Sequence, residues 1–422
     1  IVLFFCAFAA QIRITEIIRK NTRKSQKLMK TGYSIRTWRM RLVCPEPIWL
    51  DRTEEYFQNV VEFYYHLLRQ HEELWNSSLF DIQRSLELLT LAGRDGRQPT
   101  NPLPMGKVPV YLRRAAINKA SATVKSTQEL QSGFPEKLEA KVTFFKGMYS
   151  DLTDRSICLK LWNGEKWIWT DCNLKGRPLP QDGQLMSPTL VKEGRRYLLN
   201  IPVKQENSDA RTAKERMAEG TNLCSVRFTN TDTFAVCCIL DEQGKQLAVH
   251  NCRGGDAYRH RCKLLETRIQ KSRPNTVGDN SPQPNRKYYM HLKNLSEHYA
   301  HQVSREILNF CKENQAGIIV LPDYDQNFTR MAMVKSGNFS PLHLSSKIRT
   351  NLQYKAWAEG ILVLETRTDG LKDKCAICGG RVRRKGNEFL CENGHQGNRF
   401  LNDARNLGRK CQDSFFRGSR TK

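Results

Sequence analysis

At 422 residues, 39% of them hydrophobic, the chain has room for two to four globular domains with ordinary buried cores. Its 68 Lys and Arg against 43 Asp and Glu give a net charge of +25, spread along most of the length, which favours nucleic acid as partner over a local membrane patch. The fourteen cysteines are mostly scattered singly, which excludes a small secreted disulfide scaffold and points to a reducing, cytoplasmic setting.

The opening IVLFFCAFAA is apolar but lacks a basic flank and is too short to span a bilayer, so no membrane partner is expected. Residues 1–28 read as an upstream extension, possibly non-native, with Met29 as a natural start. YSIRTWRMRLV alternates polar and apolar side chains and predicts a half-buried strand. Helical spacing follows, with Phe57, Val60, Val61, Tyr64 and Leu67 as one core-facing stripe. A second helix (SLFDIQRSLELLTLA), a turn rich in Gly, Pro and Asn, and a basic helix (VYLRRAAINKASATVKSTQELQ) complete a helical block. From about Ala140 the period changes to two: AKVTFFKGMYSDL, SICLKLWNGEKWIWTDCNL and TLVKEGRRYLLNIPVKQ predict the short strands of a small barrel or sandwich.

QENSDARTAKERMAEGTN reads as a charged linker into a third unit. That unit opens with LCSVRFTNTDTFAVCCILDEQGKQLAVHN, predicted as two strands with a turn at DEQGKQ. Two basic helical segments come next, then the continuous apolar run IIVLP, of the kind buried on both faces of a sheet. A helix over LSSKIRTNLQYKAWAEG and a buried strand ILVLET follow, and this alternation predicts an α/β layer fold. From Cys375 the pattern is C-x2-C, twelve residues, then Cys391 and His395, with the basic strands GRVRRKG and EFLC between the halves. Three thiolates and an imidazole at these spacings can close a tetrahedron around Zn²⁺. Four ligands leave no open position, so a structural role is expected.

The order and spacing of these segments resemble the TnpB nucleases of transposons and their descendants, the type V CRISPR effectors. The resemblance extends from about Tyr33 to Lys410, and its specific blocks are LQYKAWAEGILVLETRTDGLKDKCAICG and CENGHQGNRFLNDARNL. It implies a multidomain α+β chain, in which a helical recognition lobe and a wedge β-barrel precede a RuvC-like, ribonuclease-H-type α/β domain with an inserted zinc-binding segment. The implied boundaries are a first wedge strand at 29–50, the recognition lobe at 51–138 and the barrel at 139–205. The RuvC-like domain takes 206–372, the zinc segment 373–396, and the closing helix with a basic tail 397–422.

The resemblance further implies a site where carboxylates from separate strands and a helix hold two Mg²⁺ ions for phosphodiester cleavage. The first aspartate falls on Arg227, Phe228 or Thr229, depending on how the turn is aligned. The glutamate after IIVL falls on Pro322. Matching Asn402 to the closing motif puts Phe400 at the last aspartate and Asn398 at the acid often found shortly before it. All three catalytic carboxylates are then absent, and Mg²⁺ is not expected unless Asp232, Asp323 and Asp403 form a displaced site. Asp323 lies one residue late in an extended strand and points to the opposite face, while Asp232 falls late in the turn region. Asp403, three residues after Phe400, stays near the same helix face and is the best substitute, but one acid cannot hold two metals.

The implied function is RNA-guided, sequence-specific binding of double-stranded DNA without cleavage, acting by occupancy. Its partners would be a guide RNA, the duplex target and transcription or transposition proteins, at the nucleoid of a bacterial cytoplasm. Three basic runs would line the channel: Arg113, Arg114 and Lys119; Arg259, Arg261, Lys263, Arg268 and Lys271; and Arg381, Arg383 and Arg384. Trp162, Trp167 and Trp169 are candidates to stack on unpaired bases, with packing inside the barrel as the competing role. The alternatives are an active RNA-guided endonuclease using the displaced acids, and an RNA-independent DNA-binding protein. The second is disfavoured because no helix-turn-helix or finger array is evident.

Overall fold

The computed structural model describes residues 32–93, 95–207, 209–272, 285–324 and 339–417; the expected extension 1–28 and Met29 lie outside them. The chain divides into two units, residues 35–205 and residues from 206 onward, the second also counting the residues through Ser34.

In the first unit, strand β1 (Tyr33–Val43) is followed by helices α1 (Pro47–Gln70), α2 (Leu79–Thr90) and α3 (Val110–Leu130). Pro47 sits in the first turn of α1, where its missing N–H costs nothing. The stripe Phe57, Val60, Val61, Tyr64 and Leu67 is buried as its spacing predicts. Ser78 caps α2 by accepting from the Asp81 N–H at 3.2 Å.

A seven-stranded sheet then curls into a half-barrel from β1, β2 (Tyr149–Ser150), β3 (Ser156–Trp162), β4 (Trp167–Lys175), β5 (Gln184–Leu185), β6 (Thr189–Glu193) and β7 (Arg196–Glu206). Its order is β2-β3-β4-β1-β7-β5, with β6 paired to β7. The segment AKVTFFKGMYSDL is less regular than its period of two predicts. Ala140, Val142 and Phe144 do alternate inward, but ladder pairing is limited to Thr143 opposite Thr189 and to β2. A turn at Gly147, with φ of 93°, breaks the strand.

In the second unit, the segment expected as a linker contains helix α4 (Ala213–Ala218), closed by a reciprocal Thr212–Glu215 capping box. The α4 residue Arg216 is fully buried. Its guanidinium donates to the carbonyls of Gly317 at 2.8 Å, Gly360 at 2.6 Å and Asp209 at 2.8 Å. Those bonds fasten the linker to the segments that lead into β11 (Ile318–Asp323) and β12 (Leu362–Arg367) and satisfy a charge that would otherwise be costly to bury.

The expected two opening strands are three: β8 (Leu223–Phe228), β9 (Ala235–Leu240) and β10 (Gln246–Cys252). Thr229 makes the extra turn by accepting from the Thr231 N–H at 3.2 Å, a local side-chain bond that pattern reading overlooked. Helices α5 (Gly255–Lys271) and α6 (Arg286–Glu313), strand β11 (Ile318–Asp323), helix α7 (Ser345–Trp357) and strand β12 (Leu362–Arg367) complete the α/β layer. The sheet order is β10-β9-β8-β11-β12, with β11 parallel to both β8 and β12.

Strand alternation gives this sheet two cores. Cys224, Val226, Phe228, Ile319 and Leu321 pack with residues of α5, α6 and α7. Leu223, Cys238, Leu240, Ile318 and Val320 pack with Ala404, Leu407 and Cys411 of α8 (Arg399–Arg417). Between β12 and α8 lies a small antiparallel sheet of β13 (Val382–Lys385), β14 (Glu388–Cys391) and β15 (Gln396–Asn398). Among the described residues, no helix is long and apolar enough to cross a membrane.

Candidate functional site

The C-terminal ends of β8 and β11 meet α8 on one face of the sheet. Arg227 and Pro322 project there, beside Asp403 in the second turn of α8. Asp403 is 2% exposed. Arg227 Nε stands 3.3 Å from one carboxylate oxygen and Arg384 Nη2 of β13 stands 2.5 Å from the other. Arg227 also donates to the Tyr324 hydroxyl at 2.7 Å, and Arg384 donates to the Lys372 carbonyl at 3.0 Å. The space left among Arg227, Pro322, Asp403 and Leu407 is about 10 Å³, about one water molecule. The carboxylate present is paired with two guanidinium groups.

The three residues that the resemblance offers for the first position differ in where they face. Phe228 is 2% exposed in the core on the opposite face. Thr229 is spent within its own turn, sharing a hydrogen bond with the Thr231 hydroxyl at 3.0 Å. Arg227 is therefore the one of the three that faces α8.

The fallback acids do not converge. Asp232 accepts from the Asp256 N–H at 3.1 Å and ties the turn to the start of α5. Asp323 is exposed and alternates with Pro322 onto the face of Leu321. Glu365, which sequence reading missed, stands opposite Leu321 in the register of β11 and β12. It pairs with Arg349 Nε at 3.3 Å, while burial pushes its carboxyl above the usual range. Arg349 donates in turn to the Pro322 carbonyl at 2.9 Å.

Phe400 opens α8 at 8% exposure, with the Arg399 guanidinium 4.6 Å from its ring centre. Asn398 accepts from the Phe400 and Leu401 N–H groups at 2.8 and 3.2 Å, an N-cap bond pair. Asn398, Arg399 and Phe400 line an open polar cleft of about 870 Å³ with Thr231, Asp232 and Arg253.

Cys375, Cys378, Cys391 and His395 lie with their ligand atoms all within 4.8 Å of one another, so they could hold a metal ion. Backbone N–H groups of Ile377 and Asn393 point at the Cys375 and Cys391 sulfurs, each at 3.4 Å, and the Asn393 amide donates to Cys378 at 3.3 Å. That amide contact draws the Cys378 thiol down to about 6, toward the thiolate that binds metal. His395 Nδ1 is buried with no hydrogen-bond partner among the described residues, as a nitrogen awaiting a metal would be. The donor set fits zinc. Asn402 of α8 anchors the loop, accepting from the Ala376 N–H at 2.8 Å and donating to the Lys374 carbonyl at 2.9 Å.

The expected nucleic-acid contacts separate by burial. Arg113 is 8% exposed, held by Glu87 at 3.1 Å and near the Val108 carbonyl, so its guanidinium is internal and unavailable to phosphate. Arg384 is likewise committed to Asp403, and Arg259 pairs with Asp256. Arg114 remains exposed although it shares Glu87. Lys119, Arg261, Lys263, Arg268, Lys271, Arg381 and Arg383 are exposed. Trp162 and Trp167 face each other across β3 and β4 at 5.4 Å and both contact Tyr56, whereas Trp169 is 46% exposed with Lys160 5.7 Å from its ring centre.

A family model described as the Aq_aa04 family matches residues 34–163. Comparison with curated proteins finds no match. The Cas12f1–sgRNA–target DNA complex, solved by cryo-EM, is similar over 85% of this chain and 81% of that one, with a TM-score of 0.55 and 11% identity. The mini RNA-guided endonuclease CRISPR-Cas phi3 is similar over 93% and 97%, with a TM-score of 0.51 and 10% identity. The chain thus shares the multidomain fold of type V CRISPR effectors.

Proposed function

We propose that this chain, built on the type V effector fold, binds double-stranded DNA under the direction of a guide RNA and does not cut it. The observation that carries the reading is the Arg227–Asp403–Arg384 triad packed beside Pro322. Hydrolysis on such a fold needs clustered carboxylates to hold metal ions; here two guanidinium groups pair with the one carboxylate at the position. The same site supports assigning two of the lost acids to Arg227 and Pro322, and the alignment of Asn402 assigns the third to Phe400. Zn²⁺ at Cys375, Cys378, Cys391 and His395 would be structural, holding the β13–β15 hairpin against the start of α8.

The exposed Lys119, Arg261, Lys263, Arg268, Lys271, Arg381 and Arg383 supply charge for phosphate contacts, which position nucleic acid without reading its sequence. Sequence choice would come from base pairing with the guide, and the output from occupancy or recruited transcription or transposition proteins. Trp169 is the stacking candidate. Trp169→Ala is expected to weaken RNA binding by roughly 1–3 kcal/mol and to leave the melting temperature unchanged, as measured by RNA titration beside thermal unfolding.

The deciding experiment is to purify the protein with its RNA, identify that RNA, and challenge the complex with matching duplex in Mg²⁺. Intact, retained duplex that is released by ribonuclease treatment is the expected result. Cleaved duplex would restore the endonuclease alternative, and specific binding that survives ribonuclease would favour an RNA-independent binder.

A further inference from the structure

A second group of metal-binding side chains lies on the α6 face of the sheet, away from the Cys375 cluster in sequence. His250 and Cys252 are two residues apart on the edge strand β10, so alternation presents both side chains to one face. Glu306 of α6 meets them there. The three ligand atoms lie within 4.8 Å of one another, and His250 Nε2 is 2.6 Å from a Glu306 carboxylate oxygen. Phe310, one helical turn after Glu306, sets its ring 5.3 Å from the imidazole.

A surface ion pair explains His250 and Glu306 but not the thiol beside them. Cys252 is fully buried, and Cys237, the residue directly opposite His250 in the β9–β10 register, is buried in the same core. Cys224 of β8 and Cys311 of α6 belong to that core as well. Sulfur is therefore concentrated behind His250 and Glu306, and the imidazole, carboxylate and thiol together form a donor set typical of zinc. Tetrahedral bonds at zinc lengths need ligand atoms roughly 3.4–3.6 Å apart. The histidine and glutamate would separate by a small side-chain rotation, and the thiol lies within 4.8 Å of both.

We propose that His250, Cys252 and Glu306 bind a zinc-class divalent ion, clamping edge strand β10 to α6. The side chains of His250 and Glu306 are 37% and 32% exposed, which gives the ion an entry path and water the fourth position. Cys237, Cys224 and Cys311 stand behind the site as a layer of thiols.

The test counts zinc in the full chain after dialysis against metal-free buffer. Two zinc ions per chain are expected in the wild type. His250→Ala with Cys252→Ser should retain one, and Cys375→Ser with Cys391→Ser should also retain one. Because Cys252 lies in the core, Glu306→Gln provides a second measurement at a partly exposed position. It should weaken retention of one zinc against a competing chelator by about ten-fold or more. A wild-type chain whose zinc is all removed by Cys375→Ser with Cys391→Ser overturns the proposal, as does a Glu306→Gln chain that retains zinc as the wild type does.

Discussion

Asp403→Ala is expected to destabilise the unit from residue 206 onward by roughly 3–5 kcal/mol, because it strands Arg227 and Arg384 as uncompensated charges in a buried site. A lower urea midpoint with an unchanged slope would report that loss. Replacing Arg227, Arg384 and Asp403 together by apolar residues of similar volume should recover most of it, since a buried ion triad repays its own desolvation poorly. The mutation also separates the two functional readings. If Asp403 held a catalytic metal, Asp403→Asn would abolish cleavage of matched duplex. If Asp403 is the anionic centre of a structural triad, the same change lowers stability and leaves duplex retention by folded protein as it was.

Removing metal from the Cys375 cluster should have the other large effect. Structural zinc sites in isolated zinc-finger peptides contribute about 10–16 kcal/mol of coupled binding and folding. The hairpin of β13 to β15 has a core of Cys375, Phe389 and Cys391 with Val382 packed against it, too little apolar surface to hold three short strands by itself. Chelation, or Cys375→Ser with Cys391→Ser, is expected to open residues 373–398 to proteolysis while the five-stranded sheet persists. Arg384 belongs to this hairpin and also reaches Asp403, so metal loss should lower the urea midpoint of the whole unit as well. An unchanged midpoint and an intact hairpin after chelation would remove the metal from the account of stability.

Periodicity carried much of this fold because burial repeats with the backbone. The β1 alternation and the α1 stripe from Phe57 to Leu67 recur at the period of the element they form, and the apolar run of β11 is continuous because both its faces are buried. The spacing of Cys375, Cys378, Cys391 and His395 was legible for a similar reason: ligands close in the chain are brought together by short turns. Three features escaped. The hydroxyl-built turn at Thr229, the capped helix α4 in a segment of linker composition, and the interruption of AKVTFFKGMYSDL at Gly147 all depend on single local bonds or dihedrals rather than on a repeat.

Charge on the helices and the basic hairpin was visible from composition, but composition cannot separate Arg113, buried against Glu87, from exposed Lys119 six residues later on the same helix. That the positions the resemblance assigns to acids around IIVLP and RFLNDARNL carry Pro322 and Phe400 could be read along the chain. That Arg227 rather than Phe228 faces α8, and that Asp403 is claimed by two arginines, required β8, β13 and α8 to be placed against one another. The same holds for His250, Cys252 and Glu306, where the glutamate lies more than fifty residues from its partners and no periodicity connects them. Local order follows from backbone periods and short-range bonds, so the sequence fixes it early. Which distant charges and ligands meet depends on strand register and helix docking, and those emerge only when the whole core closes.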